Sequence, residues 1–155
     1  MREERIYLSP PHQTGAELEA FRRVLDANWL APVGPDLIQF EKKICEATGF
    51  KYAVATSTGT AALHLGLEVI GVTNRDEVLT SAMTFVGAVN RIIYQQATPI
   101  FVDAEKESWN IDPQLVEEYV KSVEHVKAIV PTHLYGMPAN VIQLEEIGKR
   151  YDIPL

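Results

Sequence analysis

From residue 52 onward, apolar runs of strand length alternate with amphipathic segments of helix length. That alternation restricts the chain to an α/β fold with a largely parallel sheet. Strands are predicted at 52–56, 78–80, 99–102 and 126–130. A buried helix is predicted over 61–70, closed by Gly71, and another over 85–94. Asp112-Pro113 is an N-cap followed by proline at the first helical position, and the helix it opens carries Leu115, Val116, Tyr119 and Val120. Asn140 is expected to cap a last helix with Leu144, Ile147 and Tyr151 facing inward. A parallel sheet needs helices on both faces, so these strands define half of a sandwich. Ile153-Pro154-Leu155 reads as the opening of a further strand, and the chain is therefore expected to be truncated.

The first 50 residues lack strand signals. Thr14-Gly15-Ala16-Glu17 has the capping-box pattern, in which Thr14 and Glu17 satisfy each other's backbone donors. The helix it opens puts Leu18, Phe21, Val24 and Leu25 on one face and ends near Asn28. A loop from Trp29 to Pro35 follows, then a helix carrying Leu37, Phe40, Ile44 and Cys45 that Gly49 stops. The organisation expected is a helical segment with a loop over 1–50 and an incomplete α/β domain over 51–155.

Charge narrows the possible ligands. The net charge of -7 argues against nucleic acid, whose binders present a basic face. It does not exclude a phosphate, which backbone N–H groups can hold without any Lys or Arg. No stretch approaches the ~20 apolar residues of a membrane span, and Met1-Arg2-Glu3-Glu4-Arg5 lacks the apolar run of a signal peptide. A cytoplasmic location with no membrane partner is the default expectation. Cys45 is the only cysteine, and His12, His64 and His125 show no ligand spacing with it, so no metal site is expected.

Three predicted strand ends carry polar loops, and in open α/β sheets ligands bind at the carboxyl ends of strands. Thr56-Ser57-Thr58-Gly59-Thr60 leads from a strand into a helix. Free N–H groups and the positive end of the dipole there favour a phosphate, Gly59 permits close approach, and the Thr58 and Thr60 hydroxyls add donors. The same residues also make a capped helix start with no ligand. Phe85 follows the second strand end and could cover one face of a flat ring, or serve as a core residue. His133 and Tyr135 follow the third, where a lone histidine is more often structural than catalytic. Asp103 and Asp112 are most simply caps.

Taken in order, several segments resemble the DegT/DnrJ/EryC1/StrS family of sugar aminotransferases, specifically its N-terminal part. They are Ile6 to His12, Asn28 to Pro35, Phe40-Glu41, Ser57 to Leu65, Thr84-Phe85, Pro99 to Asp103, Trp109 to Asp112 and Thr132 to Gly136. The resemblance implies a fold-type I aminotransferase: a large α/β domain with a mostly parallel sheet, a smaller C-terminal domain, and a homodimer in the complete protein. It implies pyridoxal 5′-phosphate as cofactor, with Thr58, Gly59 and Thr60 at its phosphate and Phe85 on its ring. Asn28, Trp29, Leu30 and Ala31 would line a nucleotide-sugar site. His133 and Tyr135 match a motif near the pocket without an assigned role.

The opening and the Asn28 loop are most similar to members acting on UDP-linked keto sugars in exopolysaccharide or glycan synthesis, with an amino acid, usually glutamate, as nitrogen donor. The family's cofactor lysine and the aspartate beside the pyridinium nitrogen are expected beyond Leu155. The chain's seven lysines fall on helical faces or turns in this reading, and none matches. The chain alone is therefore expected to be inactive. The resemblance also leaves open a non-catalytic remnant that binds phosphate or nucleotide sugar, and a sugar dehydratase relative with histidine in place of the lysine.

Overall fold

A computed structural model describes residues 5, 7 and 9–155. Residues 1–4, and Ile6 and Leu8 of the opening motif, lie outside the described residues. The chain forms two compact units, Met1–Ala55 and Thr56–Leu155.

In the first unit, α1 spans Glu17–Asp26 and α2 spans Pro35–Thr48. The capping box at Thr14 is only half formed. The Glu17 carboxylate accepts from the Thr14 N–H at 2.7 Å, the Thr14 hydroxyl at 2.8 Å and the Gly15 N–H at 2.9 Å. The return bond is missing, because the Thr14 hydroxyl accepts from Ala16 at 3.3 Å rather than from Glu17. Helix geometry begins at Glu17 with Ala16 as N-cap, so Thr14 stands two residues too early to bond the third helical N–H. At the other end, the Asn28 N–H donates to Leu25 and the Trp29 N–H to Val24, a Schellman closure with Asn28 left-handed at φ 57°. An ion pair at 2.8 Å joins Arg23 of α1 to Asp36 of α2. Leu18, Phe21, Leu25, Phe40 and Ile44 are all exposed, and neither helix buries a residue.

The strand expected at 52–56 does not form. Extended backbone persists as a strand only when a neighbour satisfies its N–H and C=O groups, and no strand lies beside it among the described residues. Its tie within the first unit is the Ala55 N–H, which donates to the Glu41 carboxylate at 2.9 Å.

The second unit holds a parallel sheet of three strands: β1 (Glu77–Ser81), β2 (Thr98–Val102) and β3 (Val126–Val130), in the order β2-β1-β3. Lys127, read from sequence among helical or turn lysines, lies in β3. The helices α3 (Gly59–Val69), α4 (Val86–Tyr94), α5 (Pro113–Ser122) and α6 (Val141–Tyr151) cover the sheet. Alternation along β1 sends Val78 to one face, where it packs with Leu67 of α3, Ile92 of α4 and Ala128 of β3. Leu79 points to the other face and packs with Val116 of α5, Leu144 of α6 and Ile129 of β3.

Helix α3 was expected to be buried, yet only Leu67 is, while Leu63, Leu65 and Val69 stay exposed. A helix that is apolar all round needs cover on every side, and the described residues supply it on one. Asp112 and Asn140 cap as expected, accepting from Gln114 at 2.8 Å and Gln143 at 3.2 Å. Past α6, left-handed Asp152 turns the chain back, and the Pro154 carbonyl accepts from the β3 N–H of Ile129 at 3.0 Å.

That return requires Gly148. A Cβ built there would stand 2.6 Å from the Ile153 carbonyl oxygen. Gly→Ala inside a helix ordinarily stabilises by about 0.5–1 kcal/mol; Gly148→Ala is expected to destabilise instead, by about 1–3 kcal/mol as an overpacking change, read from denaturant unfolding. A stabilised variant would contradict the close approach.

The helix start at Glu17 should be acid-sensitive. Its carboxyl is lowered from 4.5 to about 2, first by the Thr14 N–H. A depressed carboxyl contributes fully above its unfolded value and is lost as pH falls through its folded one. Protection of the Thr14 and Gly15 amides, measured as exchange relative to the intrinsic rate at each pH, should therefore fall between pH 4.5 and about 2, and Glu17→Gln should remove that dependence.

Candidate functional site

The register of β1 against β3 ends at the pair Thr80↔Val130. Beyond it, side chains take over from the ladder. The Thr80 hydroxyl donates to the Val130 carbonyl at 3.3 Å, and the Ser81 hydroxyl oxygen accepts from the Thr132 N–H at 3.1 Å. Both β1 side chains are fully buried, so these bonds also satisfy groups that water cannot reach. The exits then diverge. The chain leaving β1 enters α4, packed on the Val78 face, while the chain leaving β3 continues to α6 on the Leu79 face. Such a divergence is the switch point where open α/β sheets hold ligands. Across it, the hydroxyls of Thr84 and Thr132 meet at 2.7 Å.

The first turn of α3 borders the same opening. Thr58 is its N-cap, with its hydroxyl oxygen accepting from the Ala61 N–H at 3.0 Å and its carbonyl from the Ala62 N–H at 3.1 Å. The Thr56 hydroxyl donates back to the Thr58 carbonyl at 3.0 Å. The N–H groups of Gly59 and Thr60 have no partner among the described residues, as expected of a first helical turn. A Cβ on Gly59 would meet nothing within 4 Å. The positive end of the helix therefore faces open space.

Gly59 and Thr60 share one cleft of about 530 Å³ with Thr84, Phe85, Gly87 and Thr132, closed on one side by Val130 and Pro131. None of its lining residues is charged. An anion there would be held by amides, hydroxyls and the helix dipole alone. Phe85 is the N-cap residue of α4 rather than its first helical residue, and its ring is exposed. Sequence reasoning missed Gly87. A Cβ there would lie 3.0 Å from two atoms of the Phe85 ring and 3.2 Å from the Thr60 hydroxyl, so the bare glycine lets both side chains meet α4.

His133 and Tyr135 follow Thr132 but do not line this cleft. The His133 Nδ1 accepts from the Ala139 N–H at 3.0 Å, which leaves only Nε2 for other partners. Tyr135 sits left-handed at φ 51° in a single 3-10 turn over Leu134–Gly136, with its ring exposed. Asn110, also missed, is buried and pins that turn. Its Oδ1 accepts from the Leu134 N–H at 2.8 Å and its Nδ2 donates to the Met137 carbonyl at 2.9 Å.

In the first unit, Trp29, Leu30 and Ala31 line a separate hollow of about 240 Å³ with Val33 and Gly34, and Asn28 is not part of it. The Trp29 ring lies where a Cβ on Gly34 would stand, 3.1 Å away. Outside these sites, His64 meets the Tyr94 ring edge-on at 6.4 Å and Glu68 at 3.7 Å. Among the described residues, no group of three or more His, Cys, Asp or Glu side chains could hold a metal, and no helix is long and apolar enough to cross a membrane.

The family profile of the DegT/DnrJ/EryC1/StrS aminotransferases matches residues 11–155. EpsN of Bacillus subtilis (strain 168), whose name assigns it to the pyridoxal phosphate-dependent aminotransferases, is 35% identical over 98% of this chain and 40% of its own. GDP-perosamine synthase of Escherichia coli O157:H7 is 39% identical over 90% of this chain and 38% of its own. The solved structure of NtdA from Bacillus subtilis with bound cofactor PMP superposes with a TM-score of 0.81 at 30% identity, over 98% of this chain and 37% of that one. The chain thus spans about two fifths of the length of the curated relatives it matches.

Gly87→Ala tests the packing in the cleft. The Phe85 ring is exposed and can move, so the cost in stability should stay below about 1 kcal/mol. The ring should swing away from α4, as seen in a crystal structure of the variant or in ring–helix nuclear Overhauser contacts. A ring that keeps its place would contradict the contact.

Proposed function

The chain belongs to the DegT/DnrJ/EryC1/StrS aminotransferase family, and on that premise we propose that it is the part of a pyridoxal 5′-phosphate-dependent sugar aminotransferase that grips the cofactor's phosphate and one face of its ring. One observation carries the reading: the unpartnered Gly59 and Thr60 amides and the Phe85 ring share a single uncharged cleft.

The residues fit the group. A phosphate brings its own charge and needs convergent N–H donors with room above them, which the first turn of α3 and the open space at Gly59 supply. Thr60 adds a hydroxyl, and Thr58 fixes the turn by capping it. Phe85 offers a flat apolar face to an aromatic ring. When bound, the cofactor supplies the electron sink that moving an amino group requires. This chain's residues bind and orient it; no lysine here is assigned the covalent or proton-transfer role.

The finer reading follows the family. The amino group comes from an amino acid, glutamate, and goes to a keto group on a nucleotide-linked sugar, a UDP sugar in exopolysaccharide or glycan synthesis. The hollow at Trp29, Leu30 and Ala31, with Asn28 at the preceding helix end, is proposed to line the sugar-nucleotide site. His133 and Tyr135 are proposed to stand at the pocket's margin, His133 through its free Nε2. The complete protein is proposed to act as a homodimer in the cytoplasm.

Titration of the isolated chain with inorganic phosphate should shift the backbone amide resonances of Gly59 and Thr60 ahead of all others. The chain alone should show no transaminase activity with glutamate and pyridoxal phosphate. Phosphate shifts confined to other residues would remove the basis of the reading, and turnover by the isolated chain would refute the assigned division of roles.

A further inference from the structure

The cleft has a second polar feature that the phosphate does not need. Thr84 and Thr132, on different strand exits, share one short hydroxyl contact of 2.7 Å. A hydroxyl carries one donor and two acceptor sites, so the pair consumes one hydrogen and keeps one. The only other contact of the Thr84 hydroxyl is with the Phe85 carbonyl at 3.4 Å, too long to hold it firmly. The Thr132 hydroxyl has no other partner among the described residues, since its N–H, not its side chain, is bound to Ser81. Both residues line the cleft and both are half-buried.

The surroundings sharpen the point. Val130, Ala88 and Leu63 are apolar, and Pro131 has no N–H to offer. Away from the α3 turn, the hydroxyl pair therefore supplies the polar side chains of the lining. Its proton can be ordered either way. With Thr84 donating to Thr132, the Thr132 hydrogen is free to point into the cleft. With the order reversed, Thr132 donates to Thr84, and its own oxygen is left as an acceptor facing the cleft. A ligand that places a polar ring substituent there gains a hydrogen bond in either case.

We infer that the Thr84–Thr132 pair is a ligand-binding element that hydrogen-bonds the ring end of the molecule whose phosphate sits on α3. This rests on the cleft reading above and adds a contact specific to the ring. The pair is a direct contact for an aromatic ring bearing a hydroxyl or ring nitrogen, and it discriminates such a ligand from phosphate alone. It also gives the two strand exits a shared reason to stay together once the cleft is filled.

The test uses the 155-residue chain and two probes, pyridoxamine 5′-phosphate, which has no aldehyde to react with lysines, and inorganic phosphate. Binding is measured by calorimetry on the wild type, Thr132→Val and Thr132→Ser. Thr132→Val should weaken pyridoxamine phosphate roughly 3- to 10-fold, the range of one net hydrogen bond, and leave inorganic phosphate within about 2-fold. Thr132→Ser, which restores the hydroxyl, should bind as the wild type does. Retained phosphate binding in Thr132→Val reports that the fold around α3 survives. Equal loss for both probes would make the pair a structural clasp and overturn the inference, as would no loss for either. A wild type that binds neither probe overturns the cleft reading itself, and the inference falls with it.

Discussion

The central position of β1 is the constraint from which the site follows. β2 and β3 both pair with β1 in parallel, and the chain leaves β1 toward one face and β3 toward the other. Two backbones that part company cannot keep exchanging ladder hydrogen bonds. The last pair is Thr80↔Val130, and two buried hydroxyls make the transition by bonding backbone groups of β3 and its exit. An apolar residue at either β1 position would leave a buried N–H or C=O without its partner there, which costs about 1–3 kcal/mol for each group. Threonine and serine at the end of β1 are thus the local cost of opening a crevice between parallel neighbours.

That crevice is electrically unusual for an acidic chain. The net charge of -7 would repel a phosphate at long range, yet no acidic side chain lines the cleft. Screening limits the repulsion of distant charges to a Debye length of about 8–10 Å in physiological salt. At the cleft itself the lining offers the partial positive charges of helix-start amides. Affinity through backbone dipoles also explains the small residues. Gly59 leaves space above the amides, and Gly87 lets Phe85 and the Thr60 hydroxyl share the start of α4. Larger side chains at these positions would occupy the volume that makes the amides useful.

Whatever depends on near neighbours in the chain was legible in the sequence. Asp112-Pro113 and Asn140 cap the helices they were expected to cap, and the strands at 78, 99 and 126 form within a residue or two of their predicted bounds. What depends on distant partners was not. Tyr52 to Thr56 has strand composition, but a strand is a relation between two segments and none lies beside it among the described residues. Helix α3 is apolar enough to be buried, yet its outer side is open, because burial belongs to the neighbours and not to the helix. Thr14 and Glu17 have the spacing of a capping box, and a two-residue shift of the helix start removed half of it.

The same distinction separates the parts of the site. The α3 turn could be found from one segment, since a cap, a glycine and a helix start are consecutive residues. The Thr84–Thr132 contact joins residues 48 apart, and its existence depends on the register of β1 against β3. A shift of that register by one residue would exchange the faces of Leu79 and Thr80, driving a hydroxyl into the α5–α6 core. The hydrophobic pattern of the strand therefore fixes the register, and the register brings the two threonines together. A polar feature of the cleft is in this sense specified by apolar residues several positions away. Reading it from sequence requires knowing which strands are neighbours before asking which side chains could bind.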